Sequence, residues 1–159
     1  MKKSNKLSAS LEDYLKTIKI LCDDKGFARV KEISKKLNVE MPSVTLAIKS
    51  LKKKGLILQE KYGYAELTPN GNKVSEKICN RYKKIKKFLE KVLNIDPRIA
   101  KEEACKMEHL IKPHTFNRIT SFLNYLNEYP EIGNSILESF KLFLEIESKT
   151  KNKNTKGDD

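Results

Sequence analysis

The sequence predicts a mainly α chain that opens with a winged helix-turn-helix and continues as a helical domain. Three observations predict it. Apolar residues recur at helical spacing along most of the chain. The period falls to two over only two short runs, which flank Lys61-Tyr62-Gly63. The basic charge is concentrated in the first part. Residues 1–91 carry 23 Lys and Arg against 10 Asp and Glu, a net of +13. Residues 92–159 carry 10 against 11, a net of −1. A lysine-rich composition alone would spread lysine evenly, so the first part is suited to a polyanion.

The elements follow in order. Residues 1–7 form a basic arm. Leu11, Tyr14, Leu15, Ile18, Leu21 and Cys22 mark an amphipathic helix over 9–24, capped by Ser8 or Ser10 and stopped before Gly26. Phe27-Ala28-Arg29-Val30 is a short extended link. Val30, Ile33 and Leu37 mark a second helix, about 31–37. Residues 38–41 turn. Pro42 suits a helix start. Val44, Ile48 and Leu51 then give a third helix, which ends at Lys54-Gly55. Residues 56–60 and 64–68 are the two strands of a hairpin. Thr68-Pro69-Asn70-Gly71 punctuates strongly. Helices over about 70–92, 96–111, 114–127 and 134–148 follow. The expected domains are therefore 8–70 and 71–148. The tail, 149–159, has no apolar residue and is expected to be disordered.

Composition closes off several classes. No apolar run approaches the roughly 18 residues that a membrane-spanning helix needs. The basic start leads into no apolar signal region. Cys22, Cys79 and Cys105 lie 57 and 26 residues apart, which gives no disulfide framework. A soluble cytoplasmic protein with reduced thiols is the expectation. An enzyme is not expected: the pair Cys105 and His109 has nothing visible to orient it as a nucleophile and base.

Three helices and a hairpin are the order of a winged helix-turn-helix, whose third helix enters the DNA major groove. Pro42, Ser43, Thr45 and Leu46 would face base edges, with Lys49 nearer the backbone. Lys52, Lys53 and Lys54 lie where phosphates pass, and Lys61 and Tyr62 sit at the wing tip. The lysine run also suits a solvated helix end. Double-stranded DNA is the expected partner.

Cys105, Glu108 and His109 stand at i, i+3 and i+4, on one helical face. They border the apolar stripe of Ala100, Ala104, Met107 and Ile111. A thiolate, a carboxylate and an imidazole together are competent ligands for a divalent transition metal. The same residues also fit a small buried cysteine beside a solvated Glu-His pair.

Four segments carry a resemblance. They are Leu11-Glu12-Asp13-Tyr14-Leu15-Lys16-Thr17-Ile18, Met41-Pro42-Ser43-Val44-Thr45, Leu67-Thr68-Pro69-Asn70-Gly71 and Glu102-Glu103-Ala104-Cys105-Lys106-Met107-Glu108-His109-Leu110. In this order they resemble the DtxR/MntR family of metal-dependent repressors over about residues 8–127, in its short form without an SH3-like domain. The resemblance implies a helical dimerisation and metal-binding domain after the wing, a homodimer, a pseudo-palindromic operator, and repression of metal uptake. It implies Asp13 as a first-helix ligand, making the set Asp13, Cys105, Glu108 and His109. The family's second site has departed. Tyr82, Lys86 and Lys101 stand where the family tends to have His, Glu and His. Lys16 stands where manganese-type members place a carboxylate. Lysine offers donors only, so Lys86 or Lys101 could replace the second metal's charge by pairing with Glu108 or Glu103. With a thiolate present and a carboxylate missing, Fe²⁺ is expected over Mn²⁺, and Zn²⁺, Co²⁺ and Ni²⁺ are expected to bind in vitro. The alternative is a winged-helix regulator with a degenerate metal site, constitutive or redox-sensing through Cys105. His114 reads as a helix-start residue. Cys22 and Cys79 read as core. The last amphipathic helix reads as closing the dimer or packing on the core.

Overall fold

The computed structural model describes residues 7–59 and 64–154. It divides into two compact units, one up to Asn80 and one from Arg81 onward, and the boundary falls inside a long helix. Residue 70, the expected boundary, lies at the start of that helix.

The first unit begins with α1 (Ala9–Lys25). Ser8 is the residue that caps it, its hydroxyl accepting from the Leu11 N–H. Gly26 ends it at φ +83, a left-handed conformation that glycine adopts without strain. A short strand, β1 (Ala28–Arg29), leads into α2 (Val30–Leu37) and α3 (Met41–Lys53). Strands β2 (Ile57–Gln59) and β3 (Tyr64–Leu67) follow. The sheet has three strands in the order β1-β3-β2, all antiparallel. Ala28 pairs with Ala65, and Ile57 with Leu67. The extended link expected at 27–30 is thus a third strand. Two residues cannot display a period, and only the pairing with β3 reveals it.

Period-3.6 faces close this unit. Leu15 and Ile18 of α1, Ile33 of α2, and Val44, Ile48 and Leu51 of α3 are fully buried together with Ile57 and Ala65 of the sheet. Cys22 packs against this cluster, as expected of a core thiol, and burial pushes its pKa up. The exit from the wing is tightly tied. Thr68 donates its N–H to the Leu56 carbonyl and its hydroxyl to the Gly55 carbonyl, and it accepts from the Gly71 N–H. A Cβ at Gly71 would lie 1.7 Å from the Leu56 carbonyl oxygen, so only glycine lets the chain pass there.

The long helix α4 (Pro69–Lys91) carries the chain into the second unit. There follow α5 (Pro97–Leu110), α6 (Pro113–Glu128) and α7 (Pro130–Asn154). Each of these three starts on a proline, where the missing N–H costs no helix bond. Asp96 caps α5, accepting from the Arg98 N–H at 2.8 Å. The core here is small: Ile85, Leu89, Ala100 and Ala104 are buried, with Met107, Ile111 and Phe116 packed around them. The stripe expected on α5 is therefore present.

The last helix departs from expectation at both ends. It starts at Pro130 and continues to Asn154, through residues expected to belong to a disordered tail. Lysine is a good helix former and is favoured near a helix C-terminus. The Thr150 hydroxyl donates back to the Ile146 carbonyl. Absence of apolar residues removes a packing face and leaves helical conformation possible. Among the described residues no helix is long and apolar enough to cross a membrane.

Candidate metal centre and nucleic-acid interface

The nucleic-acid face lies in the first unit. Helix α3 buries Val44, Ala47, Ile48 and Leu51, so the opposite face points outward. Pro42, Ser43, Leu46 and Lys49 are exposed, Leu46 by 67%. Thr45 is half-buried, and its hydroxyl donates to the Met41 carbonyl at 3.0 Å. Its oxygen lone pairs and methyl group are what it can still offer a base. Lys52 and Lys53 are exposed at the end of the helix. The expected wing-tip residues Lys61 and Tyr62 lie outside the described residues.

Sequence reasoning missed Arg29 on this unit. Its guanidinium stands 5.3 Å from the ring centre of Phe27 and 5.2 Å from that of Tyr64. The two rings are themselves in contact, at 4.7 Å. The i, i+2 pair Phe27 and Arg29 hinted at a shared strand face, but Tyr64 comes from the paired strand and the sequence does not show that pairing. An exposed cation held on two rings is preorganised for a phosphate.

The candidate metal helix lies in the second unit. Cys105, Glu108 and His109 occupy the second half of α5. The Glu108 side chain is 1% exposed and that of His109 12%. His109 Nε2 stands 3.8 Å from Glu108 Oε1. Cys105, which forms no disulfide, is a half-buried thiol one turn earlier. A buried carboxylate beside an imidazole is costly unless a cation or donors compensate it. A carboxylate, an imidazole and a thiol on one helical face offer oxygen, nitrogen and sulfur donors, which suits a first-row divalent ion. The residues present therefore fit a metal.

Arg81 is the second residue that sequence reasoning missed. From the start of this unit its Nε donates to the Glu108 carbonyl at 2.6 Å, and its Nη2 donates to the Ile111 carbonyl. Its guanidinium also covers the Phe116 ring at 4.8 Å. The last carbonyls of a helix lack partners within it, so this arginine fixes the turn that carries Glu108 and His109. A fork of donors reaching carbonyls 27 and 30 residues away leaves no periodic signal in the sequence.

The residues expected to mark a departed second site are placed as follows. Tyr82 and Lys86 are half-buried on α4, and Lys101 is exposed on α5. Lys86 pairs with Glu90 at 2.8 Å, one turn along its own helix, and this hydrogen bond holds its pKa up. An i, i+4 carboxylate on the same helix is a near partner for a lysine. In the first unit, Asp13 on α1 faces Lys16, with Nζ 3.2 Å from Oδ1. His114 is exposed in the first turn of α6.

Two family models match the chain. Residues 6–65 match the N-terminal DNA binding domain of the iron dependent repressors. Residues 68–137 match their metal binding and dimerisation domain. The HTH-type transcriptional regulator MntR of Lysinibacillus sphaericus is 31% identical over 123 residues, which is 77% of this chain and 88% of that protein. The MntR of Bacillus pumilus is 30% identical over 122 residues, covering 77% and 84%. Among solved structures, IdeR of T. acidophilum superposes with a TM-score of 0.66 at 26% identity, over 76% of this chain and 56% of that one. The manganese regulator SloR gives 0.65 at 31%, over 72% and 54%. ScaR with bound Zn²⁺ gives 0.60 at 32%, over 72% and 54%. This chain thus spans about half the length of these three structures and most of the length of the two MntR proteins. Fold, domain order and sequence agree: the chain belongs to the DtxR/MntR family of metal-dependent, DNA-binding transcriptional regulators.

Proposed function

We propose that this chain is a repressor of metal-uptake genes, switched on by Fe²⁺ or Mn²⁺, which binds a pseudo-palindromic operator as a homodimer. The observation that carries the reading is the buried Glu108 carboxylate beside His109, on a helix turn clamped by Arg81. Asp13, Cys105, Glu108 and His109 are the ligands in this reading. Asp13 brings the DNA-reading unit under the control of the metal, because a ligand set drawn from both units favours the arrangement in which all its members reach the ion. The Cys105 sulfur, softer than carboxylate oxygen, favours Fe²⁺ over Mn²⁺.

The exposed apolar residues of the second unit support the homodimer. Ile132, Ile136, Phe143 and Ile146 line one side of α7 and are 39–59% exposed. Val92, Leu93, Ile136, Leu137 and Phe140 line an apolar hollow of about 240 Å³. Apolar surface of this kind on a soluble chain is covered by a partner, and a second copy gives a two-fold pair of reading helices. Such a pair reads a two-fold DNA site. Pro42, Ser43, Thr45, Leu46 and Lys49 take the base edges and the nearby backbone, and Lys52, Lys53, Lys61 and Tyr62 the phosphates and the wing contact.

The test is an anaerobic titration with Fe²⁺ and with Mn²⁺, following retention of DNA from upstream of the chain's own coding region. Cys105→Ala and Glu108→Ala run alongside. Metal is expected to tighten binding at least tenfold, about 1.4 kcal/mol of coupling, and the variants to lose that gain. Equal affinity with and without metal overturns the reading and leaves a constitutive or redox-sensing regulator.

A further inference from the structure

We propose that Lys16 is a built-in competitor for the metal centre: its ammonium holds Asp13 in the metal-free chain and so sets the metal concentration at which the regulator switches. The inference rests on the reading of Asp13 as a ligand. Its geometry lies wholly within α1. Lys16 Nζ stands 3.2 Å from Asp13 Oδ1, one helical turn away. Lys16 is the one charged residue in the buried run Tyr14–Ile18, and it is 9% exposed. A buried ammonium needs a partner, and the Asp13 carboxylate, itself 31% exposed, supplies one.

The charges then decide the sign. Asp13, Glu108 and the Cys105 thiolate contribute three negative charges, and His109 contributes none. A divalent ion arriving at Asp13 meets a fixed positive charge already bonded to that carboxylate. It must either share the carboxylate, with the ammonium on one oxygen, or displace the ammonium. Both arrangements place like charges within a few ångströms of each other. Without the ammonium the donors are more negative and draw the ion more strongly. Lys16 therefore lowers metal affinity while keeping Asp13 compensated when no metal is present.

The experiment is Mn²⁺ and Co²⁺ binding to the full chain, followed by anaerobic titration calorimetry. Lys16→Met keeps the apolar stem and removes the charge, and Lys16→Gln serves as a second neutral variant. Both are expected to bind metal at least tenfold more tightly than wild type. Lys16→Arg is expected to return within about threefold, in line with retention of the charge. Damage to the fold weakens binding, so a gain reports the charge itself. In an Asp13→Asn background the gain from Lys16→Met is expected to vanish, since the two groups act as a pair. Unchanged or weaker binding in both neutral variants overturns the proposal while leaving Asp13 as a ligand. Unchanged binding in Asp13→Asn alone overturns the ligand reading, and the proposal with it.

Discussion

The two units differ in how much of their own surface they close. In the first, α1 to α3, the start of α4 and the sheet bury a core running from Leu7 to Ile78. In the second, Ile85, Leu89, Ala100 and Ala104 form the buried centre, while Ile99, Leu110, Ile132, Leu142, Phe143 and Ile146 stay more than half or about half exposed. The first unit is finished by its own sequence. The second carries a buried carboxylate and uncovered apolar side chains, and in the function proposed above a metal and a second copy add to its small core. A sensor benefits from that division: the part that reads DNA holds its shape, and the part that responds is stabilised by what it senses.

The largest effect expected tests the closed core. Ile48→Ala should cost about 2–5 kcal/mol, read from urea unfolding of the metal-free chain, with the loss appearing in the first unit's peptides. A comparable loss in the second unit alone would contradict the division. Metal removal should act on the other side. Chelation should lower the stability of the second unit by about 2.7 kcal/mol relative to metal at a hundred times its dissociation constant, seen as a fall in Tm. Gly71→Ala tests the joint between the wing and α4. Its Cβ would meet the Leu56 carbonyl, and the shift needed should cost about 1–3 kcal/mol in the same urea experiment.

Smaller effects sharpen the contrast. Phe143→Asp is exposed in the protomer, so helix content should hold while sedimentation shows the dimer weakened at least tenfold. The smallest effect concerns a surface pair of the first unit. Lys25 stands 2.6 Å from Glu32, and its hydrogen bond holds the Glu32 carboxyl below its ordinary value. The stabilisation is present above the ordinary carboxylate range and is lost as pH falls through the lowered value. Wild type and Glu32→Gln should therefore converge in urea midpoint as pH falls from 6 to about 3. The pair is exposed, so the difference should be small throughout.

Much of this was legible in the sequence, for physical reasons. Amphipathic helices announce themselves through periodic apolar residues, and α1 to α6 end within a few residues of where Ser8, Gly26, Gly55, Pro97 and Pro113 suggest. The trio Cys105, Glu108 and His109 is readable because i, i+3, i+4 spacing is local. Strand β1 was not readable, since two residues show no period and the pairing with β3 is long-range. The extension of α7 was hidden because polar residues mark the end of packing and not the end of a helix. Arg81 and Arg29 act through partners far along the chain, on carbonyls and rings that no spacing rule connects. The Lys86–Glu90 pair follows the i, i+4 spacing that a sequence shows directly.

The measurement that tests the account most directly is hydrogen exchange of the full chain with and without Mn²⁺ under anaerobic conditions. The account predicts added protection in the second half of α5 and around Asp13 in α1, with α2, α3 and the sheet unchanged. Protection confined to α5 would remove Asp13 from the metal centre and with it the link to the DNA-reading unit. No change in either helix would contradict the metal switch itself.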